Sequence, residues 1–201
     1  MQGFPVVLSA ASGTGKTTLS KMLLDADPRL VLSISYTTRA PRGSEENGVD
    51  YHFVDVGTFE EMLARDAFIE HALVHGNRYG SSKEWTRAQL DAGRDVLFDI
   101  DVQGGAQIKR LFPEALLIFI LPPSMEELER RLRRRGTDAD DVIARRLDAA
   151  RQENRAGLEG YDFVVVNERV EQALGDLAAI LRASRLQKVD RKALGRLLVP
   201  I

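Results

Sequence analysis

Short runs of apolar residues alternate along the chain with segments in which apolar residues recur every three or four positions. The apolar runs occupy residues 4–8, 96–100, 115–121 and 163–166. The helical patterns follow at residues 16–25, 103–111, from about 124, and 170–186. Strands that are apolar on both faces and are separated by helices are typical of a parallel sheet. The pattern therefore predicts an α/β fold in which helices flank a parallel core sheet.

Residues 35–83 interrupt this alternation. They are rich in Thr, Arg, Gly and Asn, and they contain short alternating segments at 51–54 and 68–74 and a turn signal at Asn47-Gly48. We expect a small β-rich subdomain here, inserted between the first helix and the strand at 96–100. A second irregular stretch, residues 133–141, lies between two charged helical patterns.

Composition narrows the class of protein. The chain has 201 residues, no cysteine, and 28 basic against 30 acidic side chains, for a formal net charge of −2. This length fits one domain with an insertion, and the lack of cysteine excludes disulfide scaffolds and thiolate zinc sites and fits a reducing compartment. A charge near zero argues against a surface that binds nucleic acid or membranes. We expect a cytoplasmic protein without either partner, and the sequence leaves open whether it forms a homo-oligomer.

The clearest local motif is a glycine-rich loop, Ala-Ala-Ser-Gly-Thr-Gly-Lys-Thr at residues 10–17, between the first predicted strand and helix. Its glycines let backbone N–H groups turn toward a phosphate, and the helix N-terminus adds partial positive charge. Lys16 can reach the β- and γ-phosphates, and the Thr17 hydroxyl can bind Mg²⁺. Ala10 replaces the usual first glycine, which is acceptable if its φ is negative. The loop alone predicts a site for a nucleotide phosphate and does not separate a kinase from a GTPase or a transport ATPase; the alternative is a glycine-rich turn with an incidental lysine. The residues that would bind the nucleotide, ATP in a kinase, are Ser12, Gly13, Thr14, Gly15, Lys16, Thr17 and Thr18.

Two acids, Asp99 and Asp101, follow the apolar run at 96–100. Ligands bind at the carboxyl ends of strands in open α/β sheets, and residues two apart on a strand point to the same face. One carboxylate can therefore hold Mg²⁺ while the other faces a second ligand. The alternative is that both acids cap helices or pair with arginines.

The predicted insert carries two arginines and two tyrosines suited to a phosphate. Arg39 and Arg42 lie three apart on a loop stiffened by Pro41, and two guanidinium groups can clamp a phosphate through bidentate bonds. Tyr51 and Tyr79 can add hydroxyl donors. A solvated basic loop and ordinary packing of the tyrosines are the alternatives.

Glu70 is a carboxylate on an apolar face, because strand alternation places it with Phe68, Ala72 and Val74. A carboxylate in such a place needs a partner. The N1–H and N2–H₂ groups of guanine would satisfy both of its oxygens, whereas adenine would leave it unpaired, and such a mismatch gives strong discrimination. The alternative is a buried salt bridge to an arginine.

The residues of the predicted insert resemble the signature of the guanylate kinases. The resemblance lies in Thr37-Thr38-Arg39, Arg42, Glu45, Gly48, Tyr51 and Phe53. The glycine-rich loop, a Tyr79-Gly80-Ser81 turn, the Asp99-Ile100-Asp101 strand end and a Val166-Asn167-Glu168 turn resemble that family too, in the same order. The resemblance runs from residue 4 to about residue 186.

The resemblance implies a P-loop kinase fold that transfers a phosphoryl group from ATP to GMP, and also to dGMP, with Mg²⁺. Its core would comprise residues 1–34, 84–124 and 156–201, with a GMP-binding insert at 35–83 and a helical lid at 125–155. By position, the GMP phosphate would be held by Arg39, Arg42, Tyr51 and Tyr79. Guanine would be recognised by Ser35, Glu70, Ser81 and Asp101. Thr17 and Asp99 would serve the Mg²⁺ site, and Asn167 would lie near the adenine of ATP.

Helical periodicity and the resemblance select the same arginines of the lid. Met125, Leu128 and Leu132 form one apolar stripe that Arg131 and Arg135 flank, and Arg146 borders a second stripe of Ile143, Leu147 and Ala150. The family's lid arginines fall on Arg131, Arg135 and Arg146, which with Lys16 would neutralise charge on the transferring phosphoryl group. Arg130 and Arg134 point away from the first stripe, and the sequence assigns no role to Arg133 or Arg134.

Two other functions compete with this one. A related P-loop kinase acting on a phosphorylated sugar or another nucleotide should lack the signature at 37–54 or Glu70. A non-catalytic guanylate-kinase-like interaction module should lack the lysine of the loop. This chain has the signature, Glu70 and Lys16, so we expect ATP:GMP phosphotransfer.

Overall fold

The computed structural model describes residues 2–74, 76–134 and 139–188, and it arranges them around two sheets. In chain order the elements are β1 (Pro5–Ala10), α1 (Lys16–Ala26), β2 (Leu30–Leu32), β3 (Tyr36–Thr37), β4 (His52–Phe53), α2 (Val56–Ala64), β5 (Phe68–Val74), β6 (Asn77–Ser82), α3 (Lys83–Asp91), β7 (Asp95–Asp99), α4 (Val102–Leu111), β8 (Leu116–Leu121), α5 (Met125–Arg134), α6 (Asp140–Gly160), β9 (Phe163–Val166) and α7 (Val170–Gln187). Among these residues, no helix is long and apolar enough to cross a membrane.

The first sheet has five parallel strands in the order β2-β7-β1-β8-β9. Successive residues of β1 point to opposite faces: Val6 and Leu8 pack with α1 and α7, whereas Val7 packs with α3 and α4. Because both faces are covered by helices, all three side chains are fully buried. The structure thus confirms the predicted α/β fold with a parallel core sheet.

The carboxyl ends of these strands meet at one edge of the sheet, since the strands are parallel. The glycine-rich loop follows β1, Asp99 closes β7 with Asp101 just beyond it, and Asn167 follows β9. Residues distant in the chain are therefore brought together at this edge.

The second sheet has four strands in the order β4-β3-β6-β5. β3 pairs with β4 in parallel, and β6 pairs with both β3 and β5 in antiparallel fashion. Asn47-Gly48 therefore lies in the loop that connects two parallel strands and is not a hairpin turn. There Gly48 has a φ of +81° and donates its N–H to the carbonyl of Tyr51 at 2.8 Å.

The expected turn at Tyr79-Gly80-Ser81 is wrong, because these residues lie inside β6. The glycine is needed for space: a Cβ at Gly80 would lie 2.8 Å from the ring of Phe68. Alternation along β6 then places Tyr79 and Ser81 on the same face of the sheet. One face of the sheet therefore carries Tyr79, which is predicted to bind the phosphate, and Ser81, which is predicted to recognise guanine.

The helices α5 and α6 pack on each other through the two predicted stripes. Leu128 and Leu132 of α5 and Ile143 and Leu147 of α6 form a separate buried cluster with Ala11, next to the glycine-rich loop. The periodicity of both helices is thereby confirmed. The predicted lid residue Arg135 lies outside the described residues.

Candidate active site

The glycine-rich loop has the backbone that its glycines predict. Gly13 and Gly15 adopt φ values of +92° and +102°, in the left-handed region that favours glycine. Gly15 is the N-cap of α1 and supplies no side-chain cap, so the first-turn N–H groups of the helix face the loop. Asp66 is the only non-glycine residue with positive φ in the described part of the chain, so Ala10 meets the condition set for an alanine there.

Lys16 is held between the loop and β7. Its ammonium group forms a salt bridge with Asp99 and donates to the carbonyl of Ile100 at 3.2 Å. The second carboxylate oxygen of Asp99 accepts a hydrogen bond of 3.0 Å from the Ser20 hydroxyl. Thr17, in the first turn of α1, exposes its side chain. The structure therefore brings the predicted lysine and Asp99 together.

Glu70 is buried on β5 with a serine as its partner. Only 2% of the residue is exposed, and its Oε1 accepts a hydrogen bond of 2.6 Å from the Ser81 hydroxyl, which lies 3.5 Å from that of Ser35. Burial, with a further contribution from the negative charge of Asp101, raises the pKa of Glu70 to about 7. In the described part of the chain no arginine or lysine pairs with Glu70. The alternative of a buried salt bridge is therefore wrong for these residues.

Asp101 caps α4 with its side chain. Its Oδ1 accepts from the backbone N–H of Gly104 at 2.9 Å, and its Oδ2 accepts from the Gln103 amide at 3.3 Å. The capping alternative is thus correct for Asp101. Its charge nevertheless acts on Glu70, so the two carboxylates lie on the same side of the site.

Arg39 is buried at the other end of the second sheet. Its two terminal nitrogens bond the two carboxylate oxygens of Glu45, each at 2.9 Å, and its guanidinium lies 5.2 Å from the ring centre of Tyr51. The hydrogen bonds that the Arg39 guanidinium makes with the carboxylate of Glu45, which accepts them, and with Tyr79 keep the pKa of Arg39 above its usual range. The alternative of a solvated basic loop is therefore wrong for Arg39, which is buried. Arg42, in contrast, exposes its side chain.

The two tyrosines lie beside Arg39, as the sequence predicts. The rings of Tyr51 and Tyr79 meet edge to face, with centres 6.0 Å apart. Burial raises the pKa of Tyr51, and the negative charge of Asp99 raises it further. Tyr51 therefore lies close enough to Asp99, at the end of β7, to respond to its charge.

Arg131 joins helix α5, part of the predicted lid, to the glycine-rich loop. It donates to the carbonyl of Thr14 and to the carbonyl of Asn167, both at 3.1 Å, and to Glu127 at 2.7 Å. Asn167 is buried and donates its side-chain amide to the same Thr14 carbonyl at 2.8 Å. Two predicted residues thus meet on one backbone atom of the loop. Arg146 is half-buried on α6.

A cavity of about 450 Å³ opens beside these contacts. Its lining includes Arg130, Arg134 and Glu127, together with Gly13, Gly15, Thr18, Arg131, Asn167, Glu168 and Val170. Arg130 and Arg131 lower the pKa of Glu127 to about 2. The sequence reasoning did not select Glu127, Arg130 or Arg134. Their spacing of three and four residues on α5 is the signal that places them on one face.

Two further acids, Glu45 and Glu153, were assigned no role from the sequence. Glu45 holds Arg39 and follows it by six residues within the signature. Glu153 on α6 is partly buried, and burial together with the charge of Asp101 raises its pKa to about 6 while Lys16 opposes that shift. No local pattern marks Glu153, because it reaches the site only through the packing of α6 on the core.

Known proteins resemble this chain over most of its length. The family model described as guanylate kinase matches residues 2–184. The chain is 56% identical to the guanylate kinase of Dechloromonas aromatica over 92% of each chain. It is 54% identical to that of Aromatoleum aromaticum, over 95% of this chain and 93% of the relative. The crystal structure of guanylate kinase from Anaplasma phagocytophilum superposes with a TM-score of 0.76 at 38% identity, covering 90% of this chain and 86% of that one.

Proposed function

The chain belongs to the guanylate kinase family and transfers a phosphoryl group from ATP to GMP, and we propose that its two sheets divide the substrates between them. GMP would lie against the sheet of β3–β6, and ATP would lie at the carboxyl edge of the core sheet. The observation that carries this division is Glu70, a buried carboxylate without a basic partner among the described residues. Tyr79 lies on the same sheet as Glu70, and Arg39 and Tyr51 lie in the loop between its strands β3 and β4, beside Tyr79.

Guanine fits the polar groups around Glu70. A carboxylate that is ionised in the complex can accept from N1–H and N2–H₂ together, while the hydroxyls of Ser81 and Ser35 reach other base edges. Asp101 would contribute from the start of α4. Adenine has no hydrogen on N1 and no N2 amine, so it would leave a buried carboxylate unpaired, which is costly.

The phosphate of GMP fits the opposite end of the same sheet. Arg39 is pre-oriented by Glu45, so little conformational entropy is lost when it binds an anion. Tyr51 and Tyr79 offer hydroxyl donors beside it, and the exposed Arg42 can close over the phosphate. The guanine and phosphate groups would then fix GMP at both ends.

ATP would place its phosphates on the glycine-rich loop. The residues are Ser12, Gly13, Thr14, Gly15, Lys16, Thr17 and Thr18, and the cavity lined by Arg131 and Asn167 would take the rest of the nucleotide. The salt bridge of Lys16 with Asp99 keeps the ammonium group at the carboxyl end of β7.

Mg²⁺ suits the donors available here. Thr17 offers a hydroxyl and Asp99 a carboxylate, and Mg²⁺ in kinases takes one or two protein oxygens with phosphate oxygens and water. We propose that Thr17 and Asp99 hold the ion. When bound, it would shield the negative charge of the phosphates, and Ser20 would keep Asp99 oriented.

Phosphoryl transfer then needs alignment more than proton transfer. An oxygen of the GMP phosphate attacks the γ-phosphorus of ATP, the bond from that phosphorus to the β,γ-bridging oxygen breaks, and ADP leaves. The attacking oxygen is already largely ionised at neutral pH, so no general base is required. Lys16, Arg131, Arg135 and Arg146 would neutralise charge in the transition state.

The regions that would bind GMP and cover ATP are also the regions that we expect to move. We propose that the GMP-binding insert at 35–83 and the lid at 125–155 close over the core and exclude water from the reaction. A cysteine-free chain that acts on free nucleotides fits the cytoplasm. The sugar-phosphate kinase and the non-catalytic module are not favoured, because the signature and Lys16 are both present.

Substrate preference tests the assignment of the guanine site. The purified protein with Mg-ATP should phosphorylate GMP far faster than AMP, CMP or UMP, measured by coupled ADP release. Glu70→Gln should reduce the preference for GMP over AMP, whereas Lys16→Ala should abolish turnover of every acceptor. If Glu70→Gln retains the preference of the parent enzyme, Glu70 does not recognise guanine.

A further inference from the structure

Helix α4 passes directly beneath the carboxylate of Glu70. A Cβ built on Gly104 would lie 2.7 Å from Oε2 of Glu70 and 3.0 Å from Cδ1 of Ile100. The first of these distances is shorter than side chains tolerate. The Glu70 carboxylate therefore lies in space that is free only because residue 104 has no side chain.

The other oxygen of the same carboxylate leaves it little room to retreat. Oε1 of Glu70 accepts from the Ser81 hydroxyl at 2.6 Å, and the residue is 2% exposed. A displacement of the carboxylate away from position 104 would therefore disturb this short hydrogen bond. Gly104 and Ser81 thus each constrain one oxygen of the Glu70 carboxylate.

Helix α4 also fixes the backbone of β5 next to Glu70. The Gln107 side chain donates to the carbonyl of His71 at 2.7 Å and accepts from its N–H at 3.2 Å. Gln107 is three residues after Gly104, so the two contacts lie on one face of the helix. The start of the same helix is capped by Asp101, which bonds the N–H of Gly104.

We propose that Gly104 is a specificity-determining residue of this kinase, because its lack of a side chain allows α4 to hold the Glu70 carboxylate in the position that discriminates guanine from adenine. The inference rests on the proposed role of Glu70. Gly104 acts through Glu70 and touches neither nucleotide in this scheme. It joins the core sheet, through α4, to the sheet that binds GMP.

The neighbouring glycine provides a matched control. Gly105 follows Gly104 in α4, and a Cβ there would lie 2.4 Å from the hydroxyl of Tyr161 and 3.3 Å from Val7. Gly105→Ala therefore adds the same methyl group to the same helix but displaces a different neighbour. Tyr161 donates to Ser9 at 2.7 Å, within the core. A general disturbance of α4 would affect both variants, whereas the proposal distinguishes them.

The experiment compares kcat/KM for GMP and for AMP, together with the Kd for GMP from calorimetry and KM for ATP. Gly104→Ala should lower kcat/KM for GMP by about 100-fold, the scale of an ångström-sized misplacement, mainly through a weaker Kd, and leave kcat/KM for AMP near its parent value. Gly105→Ala should lose thermal stability while it keeps the GMP-to-AMP ratio. An unchanged ratio in Gly104→Ala would overturn the proposal, as would an equal fall of the ratio in both variants.

Shortening the carboxylate supplies a second, independent readout. Glu70→Asp retracts the carboxylate by one methylene, which makes room for a methyl group at position 104. The loss from Gly104→Ala should therefore be smaller in the Glu70→Asp background than in the parent, a non-additive double-mutant cycle. Strict additivity contradicts the proposal even if Gly104→Ala alone is poorly folded. If Glu70→Gln keeps the preference for GMP, the role of Glu70 fails first, and that result is distinct from failure of Gly104→Ala alone.

Discussion

Arg131 of helix α5 donates a hydrogen bond to the backbone carbonyl of Thr14 in the glycine-rich loop, with Nη1 and the oxygen 3.1 Å apart. The same guanidinium reaches the carbonyl of Asn167 and the carboxylate of Glu127. Three partners in three directions require a planar group with several donors. Helix α5 is thereby connected to the glycine-rich loop on which Lys16 lies. A shift of α5 would therefore also change the contacts of that loop.

Arg131→Lys should for this reason lower kcat severely although the charge is kept. The compact ammonium group of lysine cannot reach all three positions at which Nε, Nη1 and Nη2 of Arg131 bond their partners, and arginines that stabilise phosphoryl transfer contribute on the order of 10³-fold or more. We expect KM for GMP to change little, because Arg131 contacts none of the residues proposed to bind GMP. Steady-state kinetics with both substrates varied would measure this.

Arg133→Lys is the matched control for that experiment. Arg133 lies on the same helix but pairs with Glu129 and Asp140 at the surface, so the same substitution there should leave kcat at the parent value. An equal effect of both substitutions would show that α5 tolerates no lysine, and would remove the special role of Arg131.

Glu45→Gln should raise KM for GMP by about 10-fold. Glu45 accepts two hydrogen bonds from Arg39 and a third, of 2.8 Å, from the backbone N–H of Arg42. A hydrogen bond to a charged group contributes roughly 1.5–3 kcal/mol, and 1.4 kcal/mol corresponds to a factor of ten in affinity. A glutamine keeps one acceptor and loses the second, so Arg39 would no longer be fixed. Glu46→Gln, at the exposed neighbouring position, should bind GMP normally, and a similar rise in KM there would contradict this reasoning.

Glu70→Gln should stabilise the protein at pH 8 more than at pH 5 when no nucleotide is added. Burial raises the pKa of Glu70 from 4.5 to about 7, so the folded form binds more protons than the unfolded chain across that window. The contribution of Glu70 to stability is therefore fully present below pH 4.5 and is lost as the pH rises through about 7. Glutamine removes this loss.

Urea unfolding at the two pH values would measure that difference. Glu46→Gln again serves as the control, because it removes one negative charge at an exposed site. If Glu70→Gln changes the free energy of unfolding equally at pH 5 and pH 8, the carboxyl group is not held in the buried environment that raises its pKa.

The sequence predicts the elements whose signals are local. The continuous apolar runs at 96–100 and 115–121 predict strands that are buried on both faces. The structure has β7 and β8 there, and helices cover both of their faces. The sequence did not predict β6, because Tyr79-Gly80-Ser81 has the composition of a turn. The strand conformation of these residues depends on the pairing of β6 with β3 and β5. Lys16 and Glu70 were identified from motif and alternation. Glu153 and Gly104 act on residues that are distant in the chain and close in space, and no local pattern records those partners.

Arg134 is another residue whose surroundings the sequence pattern does not predict. The helical wheel places it away from the apolar stripe of α5, yet it lines the cavity beside Gly13 and Asn167, where the proposal places ATP. Arg134→Gln should therefore raise KM for ATP several-fold, about the effect of one charged hydrogen bond, and leave KM for GMP unchanged. Arg133→Gln, one residue earlier and outside that cavity, should leave both constants unchanged. An increase of KM for GMP alone in Arg134→Gln would mean that this face of the lid serves the acceptor and not the donor, because a residue beside the phosphate-binding loop can weaken only the nucleotide that it contacts.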